Sequence, residues 1–272
     1  MIRMTKKTNN SKNSIFKKLS IQFSLDGFSF CILDNLQKIT HFSEVIFNTK
    51  LATPQELLFK IETTFKKEEV LQQDFSTVLA IHQNKLSTIV PTIFFDKNEL
   101  KSYLNFNAKT LKTDLFAFDN LNNIDAKNVY IPYININNYL FQHFGEFEYK
   151  HYTSILIDKL IAKNQSSAKK MFVYVSKNTL NIVVLENKQL LLANTFSFHT
   201  KEDFIYYILF VAKQLKLDTE KFVLSFLGDI EKDSEIYKIT YNYVRYINFY
   251  ESKNSFLNKK QFTKHPHFIL IE

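Results

Sequence analysis

Short runs in which every second residue is apolar alternate along the chain with longer runs in which apolar residues recur three and four apart, which predicts mixed strands and helices. Leu19 to Leu25, then Asp26-Gly27, then Phe28 to Leu33 reads as a hairpin, with Asp-Gly supplying the positive φ of a tight turn. A second turn over Asp34 to Lys38 leads into a third strand, Ile39 to Phe47. Thr53-Pro54-Gln55-Glu56 then places a capping Thr, a Pro at the first helical position and an early acid at the start of a helix reaching Phe65. Its apolar face is Leu57, Leu58, Ile61 and Phe65. Phe75 to His82 is a fourth strand, followed by an edge segment, Leu86 to Pro91, and a short capped helix, Asp96 to Leu104. The middle of the chain carries apolar segments at Leu115 to Phe118 and Val129 to Tyr133, helices at Ile136 to Phe144 and Ser154 to Lys163, and a strand at Phe147 to Tyr152.

A polar segment, Asn164 to Lys170, interrupts this patterning and is the best linker candidate. After it the same order of elements returns: strands at Met171 to Val175, Leu180 to Leu185 and Leu190 to Phe198, a helix capped at Thr200 and running to Leu215, a strand at Lys221 to Leu227, and a helix from Asp233 to Tyr243. Both halves read β-β-β-α-β-α, with an acid and Asn at the second turn (Asp34-Asn35, Glu186-Asn187) and a Thr cap before the first helix. This duplicated α/β unit is the plan of the actin, sugar kinase and Hsp70 superfamily, the actin-like (ribonuclease H-like) fold, in which two such subdomains face each other across a cleft. The expected division is a basic disordered tail over residues 1–17, an N-terminal subdomain with connecting helices over 18–163, a C-terminal subdomain over 164–250, and a tail over 251–272.

The stretch from Leu190 to Leu215, opening Leu-Leu-Leu-Ala-Asn-Thr-Phe-Ser-Phe-His, together with Leu224-Ser-Phe-Leu-Gly-Asp, resembles the DUF3822 family of Bacteroidetes proteins. Leu19-Ser-Ile-Gln-Phe, Val129-Tyr-Ile-Pro and His151-Tyr-Thr-Ser fit the same family, and the resemblance spans Leu19 to Phe249. It implies an actin-like ATPase fold without an established function, and it carries over no catalytic residue.

Phosphate chemistry is what such a fold would be searched for first. An actin-like ATPase needs an Asp followed by closely spaced Gly and a hydroxyl residue in its first hairpin, so that backbone N–H groups approach the phosphates. Here Asp26 and Gly27 echo that pattern, but Phe28 and Phe30 stand where small or polar residues belong, and the second hairpin, Ser176-Lys177-Asn178-Thr179, has neither Asp nor Gly. The whole chain has three glycines, Gly27, Gly145 and Gly228, too few for a paired-glycine adenosine loop. The expectation is a non-catalytic, pseudo-ATPase scaffold or partner-binding module with no cofactor. The alternative is a divergent nucleotide-binding protein or ATPase using Asp26, Gly27 and Gly228.

Other chemistry is sparser. The net charge of +8 is carried by Lys, the only arginines being Arg3 and Arg245, which weakens a nucleic-acid reading; the partners expected of the scaffold are proteins. An RNA-associated role would require the lysines to gather on one face. No stretch of 18 apolar residues occurs, so no membrane insertion is expected and the cytoplasm is the default. The single cysteine, Cys31, lies in an apolar run and reads as core. His265-Pro266-His267 lacks the carboxylate or Cys companions of a metal site, and none is expected. His143, His151 and His199 read as packed or edge residues. Tyr237, Tyr241, Tyr243, Tyr246 and Tyr250 read as core packing rather than a stacking platform. The helix after Thr200 is apolar on all sides from Phe204 to Val211, which points to burial between layers, with an interface as the other solution.

Overall fold

The computed structural model describes residues 2–4, 16–47, 53–250 and 268–271. The chain divides into two compact units, one of residues up to 121 with 125–155, the other of 122–124 with 156–270.

In the first unit β1 (Ile2–Met4), β2 (Lys18–Ser24), β3 (Gly27–Leu33) and β4 (Ile39–Ile46) precede helix α1 (Pro54–Lys67) and strand β5 (Thr77–His82). Then come β6 (Ser87–Pro91), α2 (Leu100–Asn105), β7 (Ala117–Asn120), β8 (Ala126–Tyr130), α3 (Ile134–Phe144), β9 (Phe147–His151) and α4 (Tyr152–Lys163). The main sheet has the order β1-β9-β5-β2-β3-β4, with β2, β5 and β9 mutually parallel and β3, β4 and β1 antiparallel to their neighbours. Strands β6, β8 and β7 form a separate antiparallel sheet inserted between β5 and α3. Period-two burial along β2 sends Leu19, Ile21 and Phe23 to one face, where they meet Phe28 and Phe30 of β3 and Leu57, Ile61 and Phe65 of α1. Each such side chain, fully buried, contributes about 1.5–3 kcal/mol. Thr53 caps α1 by accepting the Glu56 N–H at 3.3 Å, as the sequence predicts.

The second unit holds β10 (Lys170–Ser176), β11 (Thr179–Glu186), β12 (Gln189–Ser197), α5 (Lys201–Gln214), β13 (Val223–Gly228), α6 (Glu235–Tyr241), β14 (Tyr246–Phe249) and a final helical turn, α7 (Phe268–Ile271). Its sheet order, β12-β11-β10-β13-β14, repeats β4-β3-β2-β5-β9 strand for strand, with β10, β13 and β14 parallel. Thr200 and Asp203 form a reciprocal capping box at the start of α5.

Several expectations change. Residues 2–4, assigned to a disordered tail, form β1 against β9. The C-terminal tail contains α7, whose Phe268, Ile269 and Leu270 are buried and whose Phe268 and Ile269 carbonyls accept from Lys159 Nζ at 3.2 and 2.8 Å. A short run of apolar residues after a polar stretch is enough to dock there. The division between units falls within α4, whereas Asn164 of the polar segment is buried and donates to the Asn187 carbonyl. Helix α5 is not covered on all sides. Phe204, Ile205, Ile208, Val211 and Ala212 face the core, while Tyr206 and Phe210 are 59% and 42% exposed, because a sheet covers only one side of a helix. Tyr241, Tyr243 and Tyr246 are likewise at least half exposed; Tyr237 alone stacks on both Phe249 and Tyr241.

Candidate functional site

In open α/β sheets ligands gather at the carboxyl ends of the parallel strands. In the first unit these ends are the β2–β3 turn, His82-Gln83-Asn84 after β5, and His151 to Ser154 after β9; register pairs Phe23 with His82 and His82 with His151. Ser24 pairs with Gly27, so the turn residues are Leu25 and Asp26, and Gly27 already belongs to β3. The Asp26 N–H donates to Ser24 Oγ at 3.1 Å and its carbonyl accepts from Phe47 N–H at 3.0 Å. Gly27 does not adopt the positive φ that the sequence suggested. A Cβ there would lie 3.0 Å from the Val45 carbonyl oxygen, so glycine serves the close approach of β4. Phe28 and Phe30 point into the core.

Behind this turn lies a buried polar network that the sequence pattern did not disclose. Tyr133 N–H donates to His82 Nδ1 at 3.0 Å, which leaves the proton on Nε2, and Nε2 donates to Asn137 Oδ1 at 3.0 Å. His151 adopts the same tautomer: Nε2 donates to the Asn84 carbonyl at 3.1 Å, while Nδ1 accepts from Asn128 Nδ2 and Thr153 N–H, both at 3.3 Å. Burial pulls both imidazoles down to a pKa of about 3; for His151 the neighbouring His82 adds to this, and the bond to Asn84 opposes it. Asp119 Oδ2 accepts from His151 N–H at 2.8 Å and Ser154 Oγ at 2.6 Å, and Oδ1 accepts from the Tyr130 hydroxyl at 3.1 Å. Burial raises the Asp119 pKa and those three bonds oppose it. His82, Asp119, Asn128, Asn137 and His151 are all 0% exposed. Sealed, neutral imidazoles with fixed tautomers cannot exchange protons with a solvent-borne substrate. What the network does is tie β7 and β8 of the inserted sheet to β5, β9 and the first turn of α4. Tyr133, whose pKa is raised by burial and then by the Asp26 charge, links it to the β2–β3 turn.

In the second unit the equivalent turn is Lys177-Asn178, with Lys177 at φ 43°. Gly228 ends β13 at φ +84°, and its Asp229 N–H donates to the Val175 carbonyl at 2.8 Å. A Cβ on Gly228 would lie 2.0 Å from that same oxygen. The third glycine, Gly145, closes α3 at φ 74°, its N–H bonded to Phe141 O. Cys31 is buried, as its apolar run predicts. His143 packs against Phe65, Tyr139 and Phe144, and His199 is exposed, its N–H bonded to Asp203 Oδ2. His265 and His267 lie outside the described residues. Among the described residues no group of three His, Cys, Asp or Glu could hold a metal ion, and no helix is long and apolar enough to cross a membrane.

One surface groove, about 350 Å³, lies between the start of α5 and α6, lined by Lys201, Glu235, Lys238, Ile239, Asn242 and Tyr243. Glu235 bridges both lysines, at 3.3 Å to Lys201 and 3.0 Å to Lys238, so one of the groove's two positive charges is compensated from within.

Two sheets of one strand order, each with a three-stranded antiparallel start and a parallel continuation, define an actin-like ATPase fold. The solved structures agree. A Bacteroides thetaiotaomicron protein with an actin-like ATPase fold and unknown function superposes with a TM-score of 0.79 at 23% identity, over 87% of this chain and 91% of that one. The PilM–PilN type IV pilus biogenesis complex matches with a TM-score of 0.55 at 9% identity, over 93% and 96%. The ethanolamine utilization protein EutJ from Carboxydothermus hydrogenoformans gives 0.50 at 7% identity, over 94% and 90%. No curated protein matches the chain in sequence. The profile of the DUF3822 family, proteins of unknown function, matches residues 6–247, and the chain belongs to that family.

Proposed function

We propose that this chain is a non-catalytic, actin-like scaffold that binds a protein partner. The observation that carries the reading is how its glycines are used. A phosphate cradle needs backbone positions where the missing Cβ leaves room for a ligand. The space at Gly27 is taken by the Val45 carbonyl and that at Gly228 by the Val175 carbonyl, while Gly145 closes a helix. Neither hairpin turn retains a glycine of its own. The buried His82–Asp119–His151 network fits the same reading, since it braces the strand ends without offering an exposed acid or base. A protein-binding role has support from the PilM–PilN complex, in which a protein of similar fold is held with a partner.

Thermal unfolding with and without millimolar ATP or ADP and magnesium tests the proposal, because a ligand that binds only the native state raises its melting temperature. A nucleotide at a hundred times its Kd would stabilise by about 2.7 kcal/mol. The reading predicts no shift. A shift that disappears on Asp26→Ala would establish the alternative, nucleotide binding at the carboxyl ends of the strands.

A further inference from the structure

The duplicated fold supplies its own control for surface composition. Helices α1 and α5 follow β4 and β12, equivalent strands of the two sheets, so the fold asks the same of both. The outward residues of α1 are Gln55, Glu56, Phe59, Lys60, Lys66 and Lys67, one aromatic among polar and charged groups. Those of α5 differ. Tyr206 and Phe210 are exposed and stacked on each other with ring centroids 5.9 Å apart, Tyr206 meets Tyr207 at 5.4 Å, and Leu209 is half-buried beside them. Nothing in the fold requires this aromatic strip on the outside of α5, and solvent does not favour it.

What covers the strip is legible in the charges at its two ends. At 100° per residue, Glu202, Tyr206, Leu209 and Lys213 share one stripe of the helix, with Phe210 beside it. Glu202 and Lys213 are exposed, and neither takes part in an ion pair among the described residues. They stand about 16 Å apart along the axis at 1.5 Å per residue. An identical stripe laid antiparallel on this one brings each Glu202 against the other copy's Lys213 and each Tyr206 against Leu209 and Phe210. The face is complementary to itself under a two-fold axis, the requirement of an isologous interface. The geometry points to a second copy of this chain as the occupant, docked α5 on α5 in an antiparallel dimer. The inference is independent of whether nucleotide binds at the strand ends.

One helix face buries less than the standard interface of about 800 Å² per partner, so the dimer is a weak one. Sedimentation velocity on the full chain from about 1 to 100 μM reads this directly. The wild-type chain should pass from monomer to dimer, and Phe210→Lys should remain monomeric with an unchanged melting temperature; Tyr206→Ser serves in its place if that variant fails to fold. Glu202→Lys and Lys213→Glu should each weaken the dimer about fivefold, since each sets two pairs of like charges in contact across the axis. The double variant Glu202→Lys/Lys213→Glu restores opposite charges at both ends and should recover the wild-type Kd within about twofold. A wild-type chain that stays monomeric, a dimer that survives Phe210→Lys, or a double variant no tighter than the single ones would overturn the inference.

Discussion

Replacing Gly228 with alanine probes the strand ends most sharply. Val175 and Gly228 are the last register pair of β10 and β13, and a Cβ at 228 would lie 2.0 Å from the Val175 oxygen and 2.9 Å from its carbonyl carbon and nitrogen. These atoms are backbone, so relief requires the two strands to part. The overpacking costs about 1–3 kcal/mol, and holding alanine at φ +84° costs about 1–2 kcal/mol more. A loss of about 2–5 kcal/mol is a large part of a typical 5–15 kcal/mol stability. It should lower Tm by roughly 4–20 °C at 2–4 °C per kcal/mol. Two companions separate the contributions. Gly145→Ala keeps the backbone penalty, at φ +74°, but meets no atom within 4 Å, so it should cost about 1–2 kcal/mol. Gly27→Ala has no such penalty and a contact at 3.0 Å, which should cost about 1 kcal/mol. Urea unfolding of the three variants should rank Gly228 as the most damaging. A Gly228→Ala protein as stable as wild type would refute the close approach and reopen that position to a ligand.

Stability should fall with pH well before general acid unfolding. His82 and His151 bind protons in the unfolded chain near 6.5 but in the folded chain only near 3, so their contribution is complete above pH 6.5 and is lost progressively toward pH 3. Between those limits the two together give a slope of up to about 2.7 kcal/mol per pH unit, which urea midpoints at pH 7, 6 and 5 would reveal. Asp119, with its pKa raised on folding, takes up a proton earlier than in the unfolded chain and opposes that slope at the acid end. A flat profile from pH 7 to 5 would contradict the buried, neutral pair. Asp119→Ala strands three buried donors, His151 N–H, the Ser154 hydroxyl and the Tyr130 hydroxyl, at about 1–3 kcal/mol each, and should unfold several molar units of urea earlier or fail to fold. Thr200→Ala removes the capping box of α5 and should cost about 1 kcal/mol, read as a Tm lower by 2–4 °C.

Features set by neighbouring residues could be read in the sequence. Thr53 and Thr200 cap their helices because the capping oxygen and its N–H lie three positions apart, and Asp34 organises its turn by accepting from Leu36 and Lys38 N–H. The repeat followed from such signals, since both halves punctuate strand and helix in the same places. Features set by distant residues could not. Gly27 looked like a turn glycine because Asp-Gly is a turn dipeptide, yet its constraint comes from Val45, a strand away. The buried network is assembled from residues 82, 119, 128, 137, 151 and 154, which lie on six different elements and meet only in the fold. The only local signal is a histidine closing each of two strands, His82 and His151. The exposed side of α5 was misjudged because an apolar helix can be satisfied by a layer or by a partner, and composition does not choose between them.

A non-catalytic scaffold of this fold holds no nucleotide at the carboxyl ends of its strands. Calorimetric titration of ATP and ADP with magnesium into the purified chain tests it most directly. No saturable heat is predicted up to millimolar ligand. A saturable isotherm near one site per chain, abolished by Asp26→Ala, would contradict the claim.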